Sequence, residues 1–342
     1  MGLGVSTTTS SAGSVTRGAE LAPSGDSSVQ TIPDFYGAIT GHRHTGHLIW
    51  LPDAITVGGS TWSYRSRTAY PLIYWRPGQG ATPTQSATGT LATFKAAMTA
   101  GLLPPCAIVY LNTTDPDDSV EGWGMDAANG SYPLEAMVLH DIPAWLRANT
   151  RVPATPAWTA ACGFSKGGFE TMRMRAKWGA YHAACYVVVG APRLDADLGG
   201  AAAAYNTFSA AEKTKLFADT SALCQAQCPL STTAGTGLFN VHGTNAGGRG
   251  TAPLLLIESD DGAGADGDTT TRNSMNNAQT RLTTLTVTYS STNVYGNAVA
   301  GDPDHILSEY AAAWAAEVDA DANGWTMDLR WIRQAAGWPA VL

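Results

Sequence analysis

Short, nearly continuous apolar runs alternate with stretches of helical periodicity along most of this chain. The runs are residues 70–75 (YPLIYW), 104–112 (PPCAIVYLN), 158–164 (WTAACGF), 184–192 (ACYVVVGAP), 253–259 (PLLLIES) and 282–290 (LTTLTVTYS). A strand buried on both faces shows no period-two alternation, so these runs read as interior strands of a parallel sheet. Residues 36–55 (YGAITGHRHTGHLIWLPDAI) alternate apolar and polar positions and read as further strands. Helical periodicity covers 88–101, ending near Gly101, then 134–148, 167–178, 305–318 and 325–336, with Pro143 interrupting or kinking the second of these. Strands that alternate with helices predict an α/β fold, with a mostly parallel central sheet and helices on both faces. About sixty residues separate the run ending near Gly190 from the one starting at Pro253, more than one crossover needs. Ser209 and Glu212 form a capping box within this stretch, so an inserted lid is expected at about 195–250.

Composition narrows the function classes. The 342 residues carry 28 acidic and 20 basic side chains, a net charge of −8, which argues against a nucleic-acid binder with its basic face. No apolar run reaches the roughly 18 residues of a membrane-spanning helix. Residues 1–35 are polar, with too few large apolar groups to fold alone, and read as an N-terminal arm on a single domain at 36–342. Gly2 and Ser6 fit the short myristoylation pattern, but a plain polar arm is the preferred reading. The start lacks the basic and apolar segments of a secretory signal, leaving localisation open between cytoplasm and a virion. Cys106, Cys162 and Cys185 sit in apolar runs and read as reduced core thiols. For Cys224 and Cys228 a local disulfide and free thiols both stay open, while zinc lacks a second ligand pair. Eleven Trp and 12 Tyr among so few charges suggest an aromatic surface that faces a polymer.

The sharpest chemical signal is Gly163-Phe164-Ser165-Lys166-Gly167, a G-x-S-x-G between an apolar strand and a helix. A nucleophilic serine there must occupy a tight turn that lifts its oxygen above the sheet edge, and side chains at Gly163 or Gly167 would clash with that turn. The Lys166 N–H is placed as one oxyanion donor, assisted by the helix N-terminus. The second donor is expected from the breaker-rich loop 76–80, at Gln79 or next at Gly80. Such a serine needs a histidine base and an orienting carboxylate, in the chain order Ser, acid, His. Among His182, His242 and His305, the last suits the base, because it follows the final strand in Gly301–His305 and opens a helix. The acid is expected after the 253–259 strand, at Asp266 or alternatively Asp261; Glu258 still belongs to the strand and Asp268 can cap a helix.

Together these segments resemble the esterase D, feruloyl esterase and mycolyltransferase group of α/β-hydrolases, over about residues 44–318. The likeness runs through YPLIYW and its glycine loop, PPCAIVYLN, EGWGMDAANG, HDIPAWLRANTRV, GFSKGG and DPDH. Trp123, Asp126, Asn129-Gly130 and Arg151 match the segment that precedes the elbow in that family. Lys166 stands where the family usually has methionine or a similar residue, and Arg76-Pro77-Gly78 where it usually has a histidine-glycine pair. The resemblance implies an α/β-hydrolase fold and ester hydrolysis through an acyl-serine, on an ester substrate such as acylated polysaccharide or an envelope lipid. It needs no cofactor and no metal. Two rivals stand beside this: acyl transfer to a sugar hydroxyl, and a virion tail subunit that carries an esterase-like domain and assembles, or forms a homo-oligomer, through its N-terminal arm.

Three further signals in the sequence have plain structural readings. His42, His44 and His47 superficially resemble a metal cluster, but on a strand only His42 and His44 share a face. Residues 319–324 match half of a calcium loop whose twelfth position is Arg330 rather than glutamate, so a helix-ending turn is expected. Trp325, Trp331 and Trp338 read as packing aromatics.

Overall fold

The computed structural model describes residues 20–23, 28–64, 70–188, 205–206, 208–230, 237–239, 252–258, 282, 290–293 and 325–339. Eight strands of these form one sheet: β1 (Gln30–Thr31), β2 (Leu48–Trp50), β3 (Leu72–Arg76), β4 (Ala107–Tyr110), β5 (Thr159–Phe164), β6 (Ala184–Val188), β7 (Leu254–Glu258) and β8 (Ser290–Asn293). Their order is β1-β2-β4-β3-β5-β6-β7-β8. β1 and β2 pair antiparallel, as do β2 and β4, and the remaining six strands run parallel. The helices are α1 (Pro83–Thr99), α2 (Leu134–Ala136), α3 (Ile142–Asn149), α4 (Lys166–Trp178), α5 (Ala210–Phe217), α6 (Ser221–Gln227) and α7 (Trp325–Ala335).

The apolar runs are strands for the reason expected. Every residue of β3, β4 and β5 is buried, which only a strand covered on both faces requires. Three elements depart from the sequence reading. α1 begins at Pro83 rather than 88: Pro83 sits in the first turn, where its missing N–H costs nothing, and Thr82 and Gln85 close a capping box. Pro143 does not break the 134–149 segment. It lies in the first turn of α3, behind a single π-helical stretch over Met137–Asp141 whose wider turn absorbs the lost hydrogen bond. The last described strand, Ser290–Asn293, starts at the final residue of its predicted run and extends beyond it, and residues 283–289 lie outside the described residues. The expected helix at 305–318 and the half calcium loop fall outside the described residues.

Among the described residues many of the large aromatic rings lie in the core, while Tyr36 is exposed. Trp50, Trp62, Trp75, Trp123, Trp145 and Trp338 are all buried. Trp338 donates its indole N–H to the Ala157 carbonyl (3.0 Å), and Trp331 packs partly buried against the main core. Large rings bury the most apolar area per residue, and a chain this poor in charge has few other places to put them. In the stretch read as a polar arm, Gln30–Thr31 form the edge strand and Arg151 Nε donates to Glu20 (2.7 Å).

All five cysteines are buried, and Cys106, Cys162 and Cys185 are free thiols. Burial in apolar surroundings pushes the Cys162 thiol well up and the Cys185 thiol to about 11. An aromatic disulfide reagent is therefore expected to leave these three thiols untouched in the native protein and to titrate them after unfolding.

Glu135 ties α2 to α4. Its carboxylate accepts from Arg173 (2.6 Å), Lys177 (2.6 Å) and the Trp178 indole (2.9 Å). Burial alone would raise its pKa, but the two cations override that and hold it below the usual 4.5. A depressed carboxylate stabilises the fold above its unfolded pKa and loses that contribution as pH falls through the folded value. Glu135→Gln is thus expected to be less stable than wild type by about 3 kcal/mol at pH 7. Melting curves should show the gap closing as pH drops below 4.5.

Candidate active site

Strand register builds the site. β3 and β5 are neighbours with Trp75 opposite Cys162 and Arg76 opposite Gly163, so the loop after β3 and the turn after β5 leave the sheet side by side. β4 lies on the other side of β3, with Tyr110 opposite Trp75, and delivers the segment from Leu111 onward to the same edge. A Cβ placed on Gly78 would sit 3.6 Å from Ser165 Cβ, so the 76–80 loop packs directly on the candidate nucleophile.

From Thr159 to Ala176 every residue is buried except Ser165. Ser165 has φ 53° and ψ −115°, a conformation that costs an L-residue about 1–3 kcal/mol and persists only where the surroundings enforce it. Here the two glycines do so. A Cβ on Gly167 would overlap the Arg76 carbonyl and lie 2.9 Å from Arg76 Cβ. One on Gly163 would overlap the Gly167 carbonyl and lie 2.8 Å from Thr171 Oγ1. The strand, the turn and α4 therefore touch backbone to backbone. α4 starts at Lys166, immediately after the serine, so the positive end of its dipole points at the turn.

Beneath the turn lies a buried charge cluster that sequence reading did not find. Lys166 Nζ donates to Thr113 Oγ1 (2.9 Å), pairs with Glu170 Oε1 (3.2 Å) and stands 3.9 Å from Glu121 Oε1. Thr113 Oγ1 in turn donates to Glu170 Oε1 (3.1 Å). Arg76 is fully buried with its Nε 4.0 Å from Glu170 Oε2, and burial lowers its pKa. Its members come from four separate segments, so only their being polar within apolar surroundings marked them in the sequence.

Of the residues singled out in sequence, Ser165, Lys166, Gln79 and Gly80 gather at this sheet edge, and Gln79 and Gly80 are exposed. The Gly80 N–H donates to Glu121 Oε1 (2.8 Å). His305, Asp266, Asp261, Asp268 and His242 lie outside the described residues. Glu258 is the last residue of β7, as expected. His182 is packed in the interior, and its burial pushes its pKa to about 3. Beside it a groove of about 300 Å³ opens between Ile39, His140, Arg147, Pro156 and Tyr181, flanking the end of β5 away from Ser165.

Other matched residues serve the frame. Trp123 (φ 51°) is buried against Phe169 and Phe208, and its indole donates to Glu212. Asp126 Oδ1 accepts the Glu135 N–H (2.8 Å), and Asn129 Oδ1 accepts the Ser131 N–H in a turn completed by Gly130 at φ 76°. The predicted capping box at Ser209 and Glu212 starts α5. α5 and α6 dock on Trp123, Met125 and Phe169, and Lys215 pairs with Asp115 and Asp118.

His44 and His47, not His42 and His44, come together: His44 Nδ1 lies 3.4 Å from His47 Nε2, and His44 Nε2 lies 3.3 Å from Asp141. The reason is Gly46 at φ 72°, which turns the chain between them. Among the described residues no three His, Cys, Asp or Glu are grouped to hold a metal ion, and no helix is long and apolar enough to cross a membrane.

The family model named Esterase, described as "Putative esterase", matches residues 60–193. The fold is also that of several solved structures. A ferulic acid esterase aligns with a TM-score of 0.59 at 13% identity, covering 90% of this chain and 98% of that one. An S-formylglutathione hydrolase from Agrobacterium tumefaciens aligns at 0.57 and 14%, covering 91% and 99%. MPT51 (FbpC1) from Mycobacterium tuberculosis aligns at 0.54 and 10%, covering 88% and 97%. No curated protein matches the sequence. The chain therefore shares the fold of these hydrolase structures. The segment that matches the esterase family model includes the Ser165 turn.

Proposed function

We propose that this chain is a serine carboxylic-ester hydrolase with Ser165 as nucleophile. The observation that carries the reading is the strained, half-exposed Ser165 at the head of α4, in a run that is otherwise buried. A backbone forced into this shape gains nothing for packing, and strain of this kind gathers where chemistry needs a side chain presented.

Ser165 Oγ attacks the ester carbonyl while His305 takes its proton, and His305 returns the proton to the departing alkoxide. Asp266, or in its place Asp261, orients His305 and stabilises its charged form. The oxyanion is held by the Lys166 N–H and by Gln79, since the Gly80 N–H already serves Glu121. Water then cleaves the acyl-serine by the reverse sequence of proton transfers. Residues 36–342 work as one catalytic domain, with the insertion at about 195–250 as its lid; the docking of α5 and α6 just beyond the elbow helix supports that placement. The ferulic acid esterase likeness supports acylated carbohydrate as the first substrate class to try.

A fluorophosphonate probe is expected to modify intact protein at Ser165 alone, with release of free acid from an acylated sugar. Failure to react where other serine esterases do would overturn the reading. Recovery of the acyl group on an added sugar instead of water would replace hydrolysis by transfer.

A further inference from the structure

Lys166 places its ammonium next to the turn, among Thr113, Glu121 and Glu170. Its side chain is 1% exposed, and Thr113 and Glu170 fix its ammonium. The third group it faces, Glu121, is set by a small hairpin: Thr114 bridges Glu121, Asp115 N–H donates to the Val120 carbonyl (2.9 Å), and Gly122 N–H donates to the Thr113 carbonyl (2.8 Å). Glu121 Oε1 then reaches out of the cluster to accept the Gly80 N–H. Gly80 lies two residues beyond Gly78, which packs on Ser165. A continuous set of contacts thus runs from the residue after the nucleophile, through Glu121, to the loop that carries the second oxyanion donor.

That loop needs such a tether. Gln79 and Gly80 are exposed, and Gly80 sits at φ 71°, where glycine imposes little stiffness. An oxyanion donor works only if it is already aimed before the charge develops, and a loose one must be reorganised during the reaction. We propose that Glu121 is a positioning residue for ester cleavage. It holds the Gly80 amide, thereby pinning the outer arm of the loop and the Gln79 N–H beside Ser165, and Lys166 holds the Glu121 carboxylate in place. The ammonium has a second effect. A bare carboxylate this near the site would oppose a developing oxyanion, and Lys166 offsets it. This inference rests on the serine-esterase reading.

The test compares Glu121→Ala, Glu121→Asp and Glu121→Gln in the full chain, with kcat and KM for p-nitrophenyl acetate, a melting curve, and fluorophosphonate labelling of the wild type. Ala loses the acceptor, and Asp is one methylene too short to reach Gly80. Both are expected to lower kcat by about 10- to 100-fold while KM changes by less than about threefold. Gln retains a carbonyl oxygen at the same reach and is expected to restore kcat to within about threefold of wild type. Wild-type kcat in the Ala variant, or a Gln variant as slow as Ala, overturns the proposal. If the Ala variant does not fold, the Asp and Gln variants decide by the same criteria: Asp as fast as wild type, or Gln as slow as Asp, overturns it. A labelled, active wild type beside an insensitive Glu121 series removes this inference alone. A wild type that neither reacts nor turns over removes the esterase reading with it.

Discussion

Ser165→Ala should abolish fluorophosphonate labelling and reduce kcat on any ester the wild type cleaves by about 10⁶-fold, the scale of loss when a triad nucleophile is deleted. Ala keeps the Cβ and therefore the backbone strain, so its melting curve should overlay that of the wild type. Ser165→Gly makes the complementary case. It is equally inactive, yet it relieves the φ 53° conformation and is expected to be more stable by about 1 kcal/mol. An inactive but stabilised Gly variant would show that the strain exists to present the hydroxyl. A Gly variant that is destabilised would mean that the turn is held for packing alone. A Ser165→Ala protein that still turns over would end the nucleophile assignment.

Gly167→Ala should be among the most damaging single methyls at the described glycines. The new Cβ would overlap the Arg76 carbonyl, and the obstacle is main chain at the end of β3, so no side-chain rotation clears it. Gly163→Ala meets the Gly167 carbonyl in the same way. Either is expected to cost about 3 kcal/mol or more, read as a lowered denaturation midpoint or as insoluble protein. Because relaxation must push α4 away from the sheet, what folds should also lose kcat. Gly130→Ala is the contrast. Its φ of 76° is unfavourable to Ala, but nothing lies near its Cβ, so the cost is the conformational one of about 1 kcal/mol.

The elbow was legible because its signal is local: an apolar strand, a glycine, the serine, a glycine and a helix all fall within residues 158–178. The interior strands were legible because burial on both faces leaves no polar position to confuse the pattern. What escaped was non-local or conformational. β1 is two residues long and has no periodicity to detect. The His44–His47 pairing turns on one glycine φ. The Lys166 cluster joins Thr113, Glu121 and Glu170 across loops whose meeting depends on strand order. The helix expected from 88 starts at Pro83, because Thr82 caps it and proline is tolerated in a first turn. His305 and the acid, Asp266 or Asp261, were argued from chain order, which fixes sequence rather than direction in space.

The burial of every cysteine has a practical side. Maleimides and haloacetamides should find no cysteine thiol to alkylate on the native protein, so pretreatment with them should leave the proposed esterase activity intact and silence contaminating thiol enzymes in a crude extract. An electrophile that does attach to the folded chain is then expected on oxygen or nitrogen rather than on sulfur, and turnover should need no reducing agent.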